Sequence, residues 1–273
     1  HEWQDRSLLA SAGDGGSLFI WHFVSNSIDP IDSSQSTCDL QDEQSISKEV
    51  WKVKVALETS NPFDIYALQW SPCSRYIATG TSDDSVRIYS VKESRCIKII
   101  RDHSHFVNGI SWDPLNQLII SISSDRSIKV SRLIGLNSTG NNTFKTQSIS
   151  KISKANYSID NCTDGKKINE LNMNTSPIVD SSNPPTNNSL SSQSSTEFGF
   201  KLFSDEGLIS FFRKGSFTPD GAYFYAPSGL SESGKNCIHV FIRNGFHLNH
   251  PFYSIVGFEK PPIGIFFFPK PLQ

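Results

Sequence analysis

Short runs in which apolar and polar residues alternate recur along this chain, parted by clusters of turn-forming residues. Asp64–Val91 reads DIYALQWSPCSRYIATGTSDDSVRIYSV, and Phe106–Leu133 reads FVNGISWDPLNQLIISISSDRSIKVSRL. In the first, Ile65, Ala67 and Gln69 fall on one face of an extended strand and Tyr66, Leu68 and Trp70 on the other, the two-residue period of a β-strand. The phrases SPCS, DPLN and TPDG end such runs with Pro, Asp and Gly chemistry. The two stretches also align with each other. Trp70 and Trp112, like Asp83 and Asp125, stand 42 residues apart. Repeats of about 40–45 residues built from short strands mark the blades of a WD40 β-propeller. The expected fold is therefore all-β, and the expected task is binding.

Four copies of the pattern and the start of a fifth can be traced. Leu8–Phe23 (LLASAGDGGSLFIWHF) supplies the second and third strands of a first copy. The next two begin at Asp64 and Phe106, the fourth covers Phe211–Arg243, and Ile263–Phe268 reads as the opening strand of a fifth. Two tracts interrupt them. Residues 25–48 are rich in Ser, Asp and Gln, and residues 135–197 in Ser, Asn and Thr. The longer tract has too little apolar surface to offset its ordering entropy and is expected to be disordered. The plan is a partial blade over 1–24, an insertion over 25–48, blades over 49–134, a disordered insertion over 135–197, and a blade with the start of the next over 198–273. Outside the insertions 186 residues remain, about four and a half repeats. The fold class is thus a partial WD40 propeller of about four to five blades with two disordered insertions. An unclosed set leaves bare strand edges, so the chain reads as part of a larger propeller.

In a complete WD40 blade, a His, a Ser or Thr, an Asp and a Trp can form one hydrogen-bonded chain. Here the set is degraded. His103 stands at the repeat His, with Asp125 as its expected partner through Ser123, but Ser131 replaces the Trp of that copy. The second copy has Asp83 and Tyr89, with Ser60 near the expected His; the first has Trp21, with Asp14 displaced by one position. Trp70 and Trp112 mark the first strands of their copies. A buried network is fully stabilising only when every member is satisfied. Stability is therefore expected to rest more on the apolar packing of Leu68, Trp70, Ile77, Ile110, Trp112 and Ile119 than on the polar set.

Composition narrows the function by exclusion. The formal net charge is −2, which supplies no basic field for direct DNA binding. Local acidic patches could still meet a basic partner. No run of 18 apolar residues suits a membrane helix. Cys38, Cys73, Cys96, Cys162 and Cys237 are scattered without a CxxC pair and read as free thiols. There is no phosphate-binding glycine loop and no G-x-S-x-G elbow. His247 with His250, and His103 with His105, lack the Cys or carboxylate company of a metal centre. No cofactor, metal or catalytic residue is expected, and the chain does not read as an enzyme. The sequons at Asn137 and Asn187, Lys166-Lys167 and Ser176-Pro177 are short signals inside the longer insertion. Phe211, Phe212, Phe241 and Phe266–Phe268 are expected to fill space between blades, with an exposed docking patch as the minority reading. Asp64, Asp84, Asp102, His105 and Arg126 fall in loops at the blade tops, where partner contacts concentrate. Phe211, Phe212 and Arg213 complete the set of candidate contacts.

The fourth copy carries more than a generic repeat. Lys201–Gly234, KLFSDEGLISFFRKGSFTPDGAYFYAPSGLSESG, followed by HVFIR, resembles the FFRR, SFTPDGS and ESG phrases and the YVFSR-like strand of the family of the B subunit of chromatin assembly factor 1. Phe106–Val130 is similar to that family's YVQGVTWDPLGQYV segment, and HPFYSIVGFEKPPIGIFFFP to its RPIAHLPCPGK piece. HIRA-type histone chaperones share the architecture and part of the SFTPDG phrase, and are the nearest alternative; a generic WD40 adaptor is the next. The resemblance implies one subunit of a three-part histone chaperone that delivers histones H3 and H4 to newly replicated DNA in the nucleus. It implies that the propeller joins the large subunit. It also implies a tail after the propeller that engages another histone chaperone; no such tail is present in this sequence.

Overall fold

The computed structural model describes residues 8–25, 49–57, 63–135, 144–157, 198–205, 207–208 and 210–267. The first sheet joins β1 (Leu8–Ala12), β2 (Leu18–Ser25) and β3 (Glu49–Leu57). The second joins β4 (Ile65–Trp70), β5 (Tyr76–Thr81), β6 (Val86–Ser90) and β7 (Arg95–Ile100). The third joins β8 (Val107–Trp112), β9 (Leu118–Ser123), β10 (Ser127–Ile134) and β11 (Lys145–Ile152). β12 (Lys154–Tyr157) pairs with β13 (Phe198–Lys201). The last sheet joins β14 (Ser216–Phe217), β15 (Tyr223–Leu230), β16 (Asn236–Ile242) and β17 (Tyr253–Phe258). Each blade is an antiparallel meander. Ile263–Ile265 then runs parallel to Lys214: the Lys214 N–H donates to the Ile263 carbonyl at 2.8 Å and the Ile265 N–H to the Lys214 carbonyl at 2.9 Å. The segment expected to open a fifth blade makes this isolated parallel bridge and forms no strand of its own among the described residues.

The core lies between blades, which explains why the middle strands are apolar on both faces. Ile77 packs with Leu18, Ile20 and Tyr89 between the first and second blades, whereas its neighbour Ala78 joins Ile88, Ile110, Trp112 and Ile119 between the second and third. Ile119 and Ile120 divide in the same way, Ile120 joining Phe203, Phe224 and Phe241 on the fourth-blade side. A strand buried on both faces loses its alternation, and LIISIS (β9) is buried at every position. Leu68 and Trp70 are partly buried against the first of these clusters.

Two expectations about organisation are corrected. Glu49–Leu57 was expected with the later blades but pairs with β2, from Leu18↔Leu57 to Ser25↔Glu49, and completes the first sheet. Residues 145–157 fall inside the tract expected to be disordered, yet form β11 and β12. β11 pairs with β10 from Ile128↔Ile152 to Ile134↔Lys145. Its sequence KTQSISKI looked like insertion because an outer strand presents one face to water and needs few apolar residues. Apart from Gly135 and Phe144, the rest of that tract, including both sequons, Lys166-Lys167 and Ser176-Pro177, lies outside the described residues. So do Ser60, Cys38, Cys162, Phe268 and most of the first insertion.

Candidate functional site

The alternation predicted for β4 breaks at its head. Ile65 pairs with Thr81 but Ala67 with Gly80, so Tyr66 is an extra residue in the ladder. The bulge carries Ile65 to the same side as Leu68 and Trp70, while Ala67 packs in the next cluster. β8 repeats the device 42 residues on: Val107 pairs with Ser123 and Gly109 with Ile122, leaving Asn108 as the extra residue. Bulges re-aim side chains at the ends of strands. Here they turn Tyr66 and Asn108 into a groove of about 330 Å³, also lined by Leu68, Ile110, Phe212 and Phe266. A second groove of about 380 Å³, lined by Trp70, Trp112, Phe217 and Phe267, continues along the same inner strands.

The loops before the first strands and the turns between the second and third strands meet at the Tyr66 end. Asp64 accepts the Gly15 N–H at 3.2 Å and donates its own N–H to Ser82 Oγ at 2.8 Å, tying the first two blades together. Asp84 and Arg126 occupy equivalent turn positions with φ of 62° and 64°, a left-handed conformation that Asp tolerates better than Arg. Arg126 donates from Nε to the Phe203 carbonyl at 2.9 Å and lies 3.8 Å from the Asp205 carboxylate. Asp102 is exposed, and half-buried His105 meets Phe106 edge-on at 4.4 Å. Phe211 and Phe212 are 59% and 62% exposed and Phe266 is 76% exposed. For these three the expectation of filling between blades is overturned; Phe241, at 1%, does fill it. Phe211 stacks on Tyr66 at 5.7 Å and 11°, and Tyr66 meets Phe106 edge-on at 5.8 Å.

Arg213 departs from its expected place among the exposed contacts. It is buried, and its guanidinium donates to the carbonyls of Ser123, Ser204 and Asp205. The backbone explains the burial. The Arg213 N–H reaches the Asn108 carbonyl at 3.2 Å, and a Cβ on Gly109 would stand 1.9 Å from the Arg213 carbonyl oxygen. The chain is pressed against β8 here, and the side chain runs inward.

The first three blades each retain a different part of the polar set. In the third, His103 Nδ1 lies 2.9 Å from Asp125 Oδ2, and Nε2 lies 2.8 Å from Ser121 Oγ. The contact with Asp125 is therefore direct. Ser123, expected to mediate it, instead donates to the His105 carbonyl at 2.8 Å and accepts the Asp125 N–H at 3.0 Å. Burial alone would raise the Asp125 carboxyl, but the His103 hydrogen bond and charge, with Ser127 and the Ser104 N–H, hold it far below the usual carboxylate range. In the second blade, Asp83 accepts from Thr81 and Ser85 and pairs with Arg87, whose guanidinium lies 3.9 Å over the Phe63 ring. Tyr89 is buried, which pushes its hydroxyl up to about 12. In the first blade Trp21 Nε1 donates to Ser11 Oγ at 2.8 Å. Trp112 plays no part in the set: its Nε1 donates to Asn116 Oδ1 at 2.7 Å.

One polar cluster went unnoticed in the sequence. His239, buried on β16, lies 2.7 Å from Ser254 Oγ through Nδ1 and 2.8 Å from the Leu202 carbonyl through Nε2. Cys237 Sγ is 3.6 Å from Nε2. Burial lowers the pKa of His239 and pushes Cys237 up to about 11, the reverse of an activated thiolate–imidazolium pair. Among the described residues no group of three or more His, Cys, Asp or Glu could hold a metal. Cys73, Cys96 and Cys237 are free thiols. The geometry offers aromatic rings, a groove and rim charges, which are the means of binding.

Residues 3–171 match the family described as the CAF1B/HIR1 beta-propeller domain. This chain belongs to that family. Among CAF1B/HIR1 relatives, the B subunit of chromatin assembly factor 1 from Saccharomyces cerevisiae is 31% identical over 96% of this chain and 52% of its own length. That of Mus musculus is 28% identical over 89% and 35%. Protein HIR1 of Eremothecium gossypii is 28% identical over 47% of this chain and 14% of its own length. The chain thus spans between about a third and a half of these chromatin assembly factor relatives. The β-propeller domain of Cps50 (Swd1) from Myceliophteria thermophila superposes with a TM-score of 0.51 at 10% identity, covering 92% of this chain and 56% of that domain. That likeness concerns the fold alone.

Proposed function

We propose that this CAF1B/HIR1 propeller is the scaffold part of a replication-coupled histone chaperone subunit. It holds the large subunit of a chromatin assembly complex and, directly or through that complex, serves delivery of histones H3–H4 to newly synthesised DNA in the nucleus. One observation carries the reading: relatives named as the B subunit of chromatin assembly factor 1, or as its plant FAS2 homologue, align at 26–31% identity over 87–96% of the chain. The replication-independent HIR type is the second reading, because the same family covers it. It is less favoured, since Neurospora crassa hir-1 aligns over 96% at 22% and the Eremothecium gossypii HIR1 over 47%. The task is binding, without catalysis, cofactor, membrane or direct DNA contact. The blade-top residues Asp64, Asp84, Asp102, His105, Arg126, Phe211 and Phe212 are the proposed contact surface. Arg213, buried beneath them, sets the backbone that presents Phe211 and Phe212.

The test is affinity purification of the tagged protein in its full-length form from nuclear extract, followed by mass spectrometry. H3–H4 and a large acidic subunit are expected together. Recovery of neither overturns the proposal, and recovery of a HIR-type assembly in their place establishes the second reading.

A further inference from the structure

We propose that the Tyr66–Phe211 ring pair and the carboxylates of Asp14 and Asp64 form a seat for one cationic side chain, arginine by preference, carried on an extended basic segment of a partner protein. This deepens the reading of the chain as a binding scaffold and rests on it.

The rings come first. Phe211 lies parallel to Tyr66, Phe106 closes the edge of Tyr66, and Phe211 and Phe212 remain more than half exposed. Two phenyl groups left largely in water at one rim gain by being covered. An exposed aromatic face also attracts a cation through its quadrupole. A planar guanidinium stacks on such a face as well as pairing with carboxylates, which favours arginine over lysine.

The charges point the same way. Asp14 is exposed on the turn of the first blade, and Asp64 faces that turn through the Gly15 N–H. Neither takes part in an ion pair among the described residues, whereas the cations of this rim are already engaged. Arg87 and Arg101 lie against Asp83, Arg126 against Asp205, and Arg213 against three carbonyls. Lys214 sits 5.2 Å over the Phe266 ring, so the groove already holds one cation–aromatic contact of its own. Both carboxylates lie close enough to act on the Tyr66 hydroxyl: burial raises its pKa first, and the Asp64 and Asp14 charges and the hydrogen bond to Asp64 raise it further. A field that resists a phenolate welcomes a cation. The same carboxylates disfavour nucleic acid and anionic lipid. Below the rings, the groove of about 330 Å³ offers Leu68, Ile110 and Ile263 to an apolar side chain next to the cation.

The probe is a fluorescein-labelled ten-residue peptide alternating arginine with leucine and glycine, titrated into the whole chain at physiological salt and read by anisotropy. Lysine and citrulline versions run beside it. The arginine peptide is expected to bind, the lysine peptide about threefold more weakly, and the citrulline peptide not at all. Phe211→Ala and Asp64→Asn are each expected to weaken binding about five- to tenfold. The amide oxygen introduced by Asp64→Asn can still accept the Gly15 N–H, so the effect of that variant reads charge. Asp220→Asn, on the exposed turn between β14 and β15, is expected to leave binding unchanged. If Phe211→Ala does not fold, Asp14→Asn on the exposed turn carries the same expectation. Absence of arginine-peptide binding, or equal weakening by Asp220→Asn and Asp64→Asn, overturns the proposal. If the seat fails while H3–H4 and the large subunit still co-purify, the functional reading stands without it. If the seat binds and no chromatin partner is recovered, the functional reading falls and the seat stands.

Discussion

His103 links two buried groups that would otherwise be unsatisfied. Its side chain and that of Asp125 are 2% and 3% exposed. Removing the imidazole would strip Asp125 of one of its donors and Ser121 of its partner. Three donors would remain to Asp125: the Ser127 hydroxyl at 2.5 Å, the Ser127 N–H at 3.0 Å and the Ser104 N–H at 3.2 Å. His103→Ala should therefore cost about 2–3 kcal/mol, less than the full penalty of an uncompensated buried charge. Ile120→Ala, at a fully buried position, should cost about 4 kcal/mol. Urea denaturation of both variants checks the order, and a larger loss from His103→Ala would show the polar set dominating. His239 supplies a pH test. Its folded pKa lies below the unfolded value near 6.5, so the unfolded chain binds its proton first as pH falls. Stability should then rise as pH climbs through the region below the unfolded value near 6.5 and level off above it. His239→Gln should flatten that rise, and parallel wild-type and variant curves of unfolding free energy against pH would refute it.

Elements are placed by backbone fit as much as by pattern. The 42-residue repeat made β4–β6 and β8–β10 readable, and His103 with Asp125 along with them, because those strands are buried and their punctuation is strong. β11 and β12 were not readable: Lys145–Tyr157 is polar, as an outer strand and a short ladder allow. The bulges at Tyr66 and Asn108 were hidden for a different reason. They are defined by the partner strand, which alternation within one segment does not report. Ser121 and Ser123 lie on the same parity of β9, so sequence spacing could not choose which meets His103. The exposure of Phe211 and Phe212 was hidden because apolar positions read as buried, and nothing in the local pattern says which of them stay at the surface. Gly109 is the element-level test. A methyl group there would stand 1.9 Å from the Arg213 carbonyl, and backbone cannot yield as a flexible side chain can. Gly109→Ala should cost about 3 kcal/mol or more. Gly13→Ala, with no atom within 4 Å of the added carbon and φ of −164°, should shift stability by less than about 0.5 kcal/mol. Thermal melts of the two variants would check the contrast.

At the scale of the molecule, blades are stacked neighbours, and stability depends on each interface as in other repeat architectures. The interfaces are not alike. The first two blades meet through an apolar cluster and the Asp64–Gly15 tie, and the second and third chiefly through apolar packing. The third and fourth add a clamp. Asp113, fully buried in the turn between β8 and β9, takes both Arg243 nitrogens at 2.6 Å and also accepts the Leu115 and Gln117 N–H groups at 3.1 and 3.0 Å. Arg243, at the end of β16, adds a bond to Gln117 Oε1 at 3.1 Å. A bidentate guanidinium–carboxylate pair is geometrically demanding, and deleting one member leaves the other charge buried and unpaired. Arg243→Ala should cost about 3–4 kcal/mol. Arg243→Lys should recover only part of that, because an ammonium cannot reproduce the fork. Asp113→Asn in the Arg243→Ala background should recover part as well, by removing the stranded charge. If the clamp joins blades, amide exchange in Arg243→Ala should quicken first in β14–β16 and stay near wild type in β4–β6. Uniform acceleration across all four blades would instead mean that the clamp stabilises the molecule as a single unit, and a loss below about 1 kcal/mol would mean that apolar packing alone holds the third and fourth blades together.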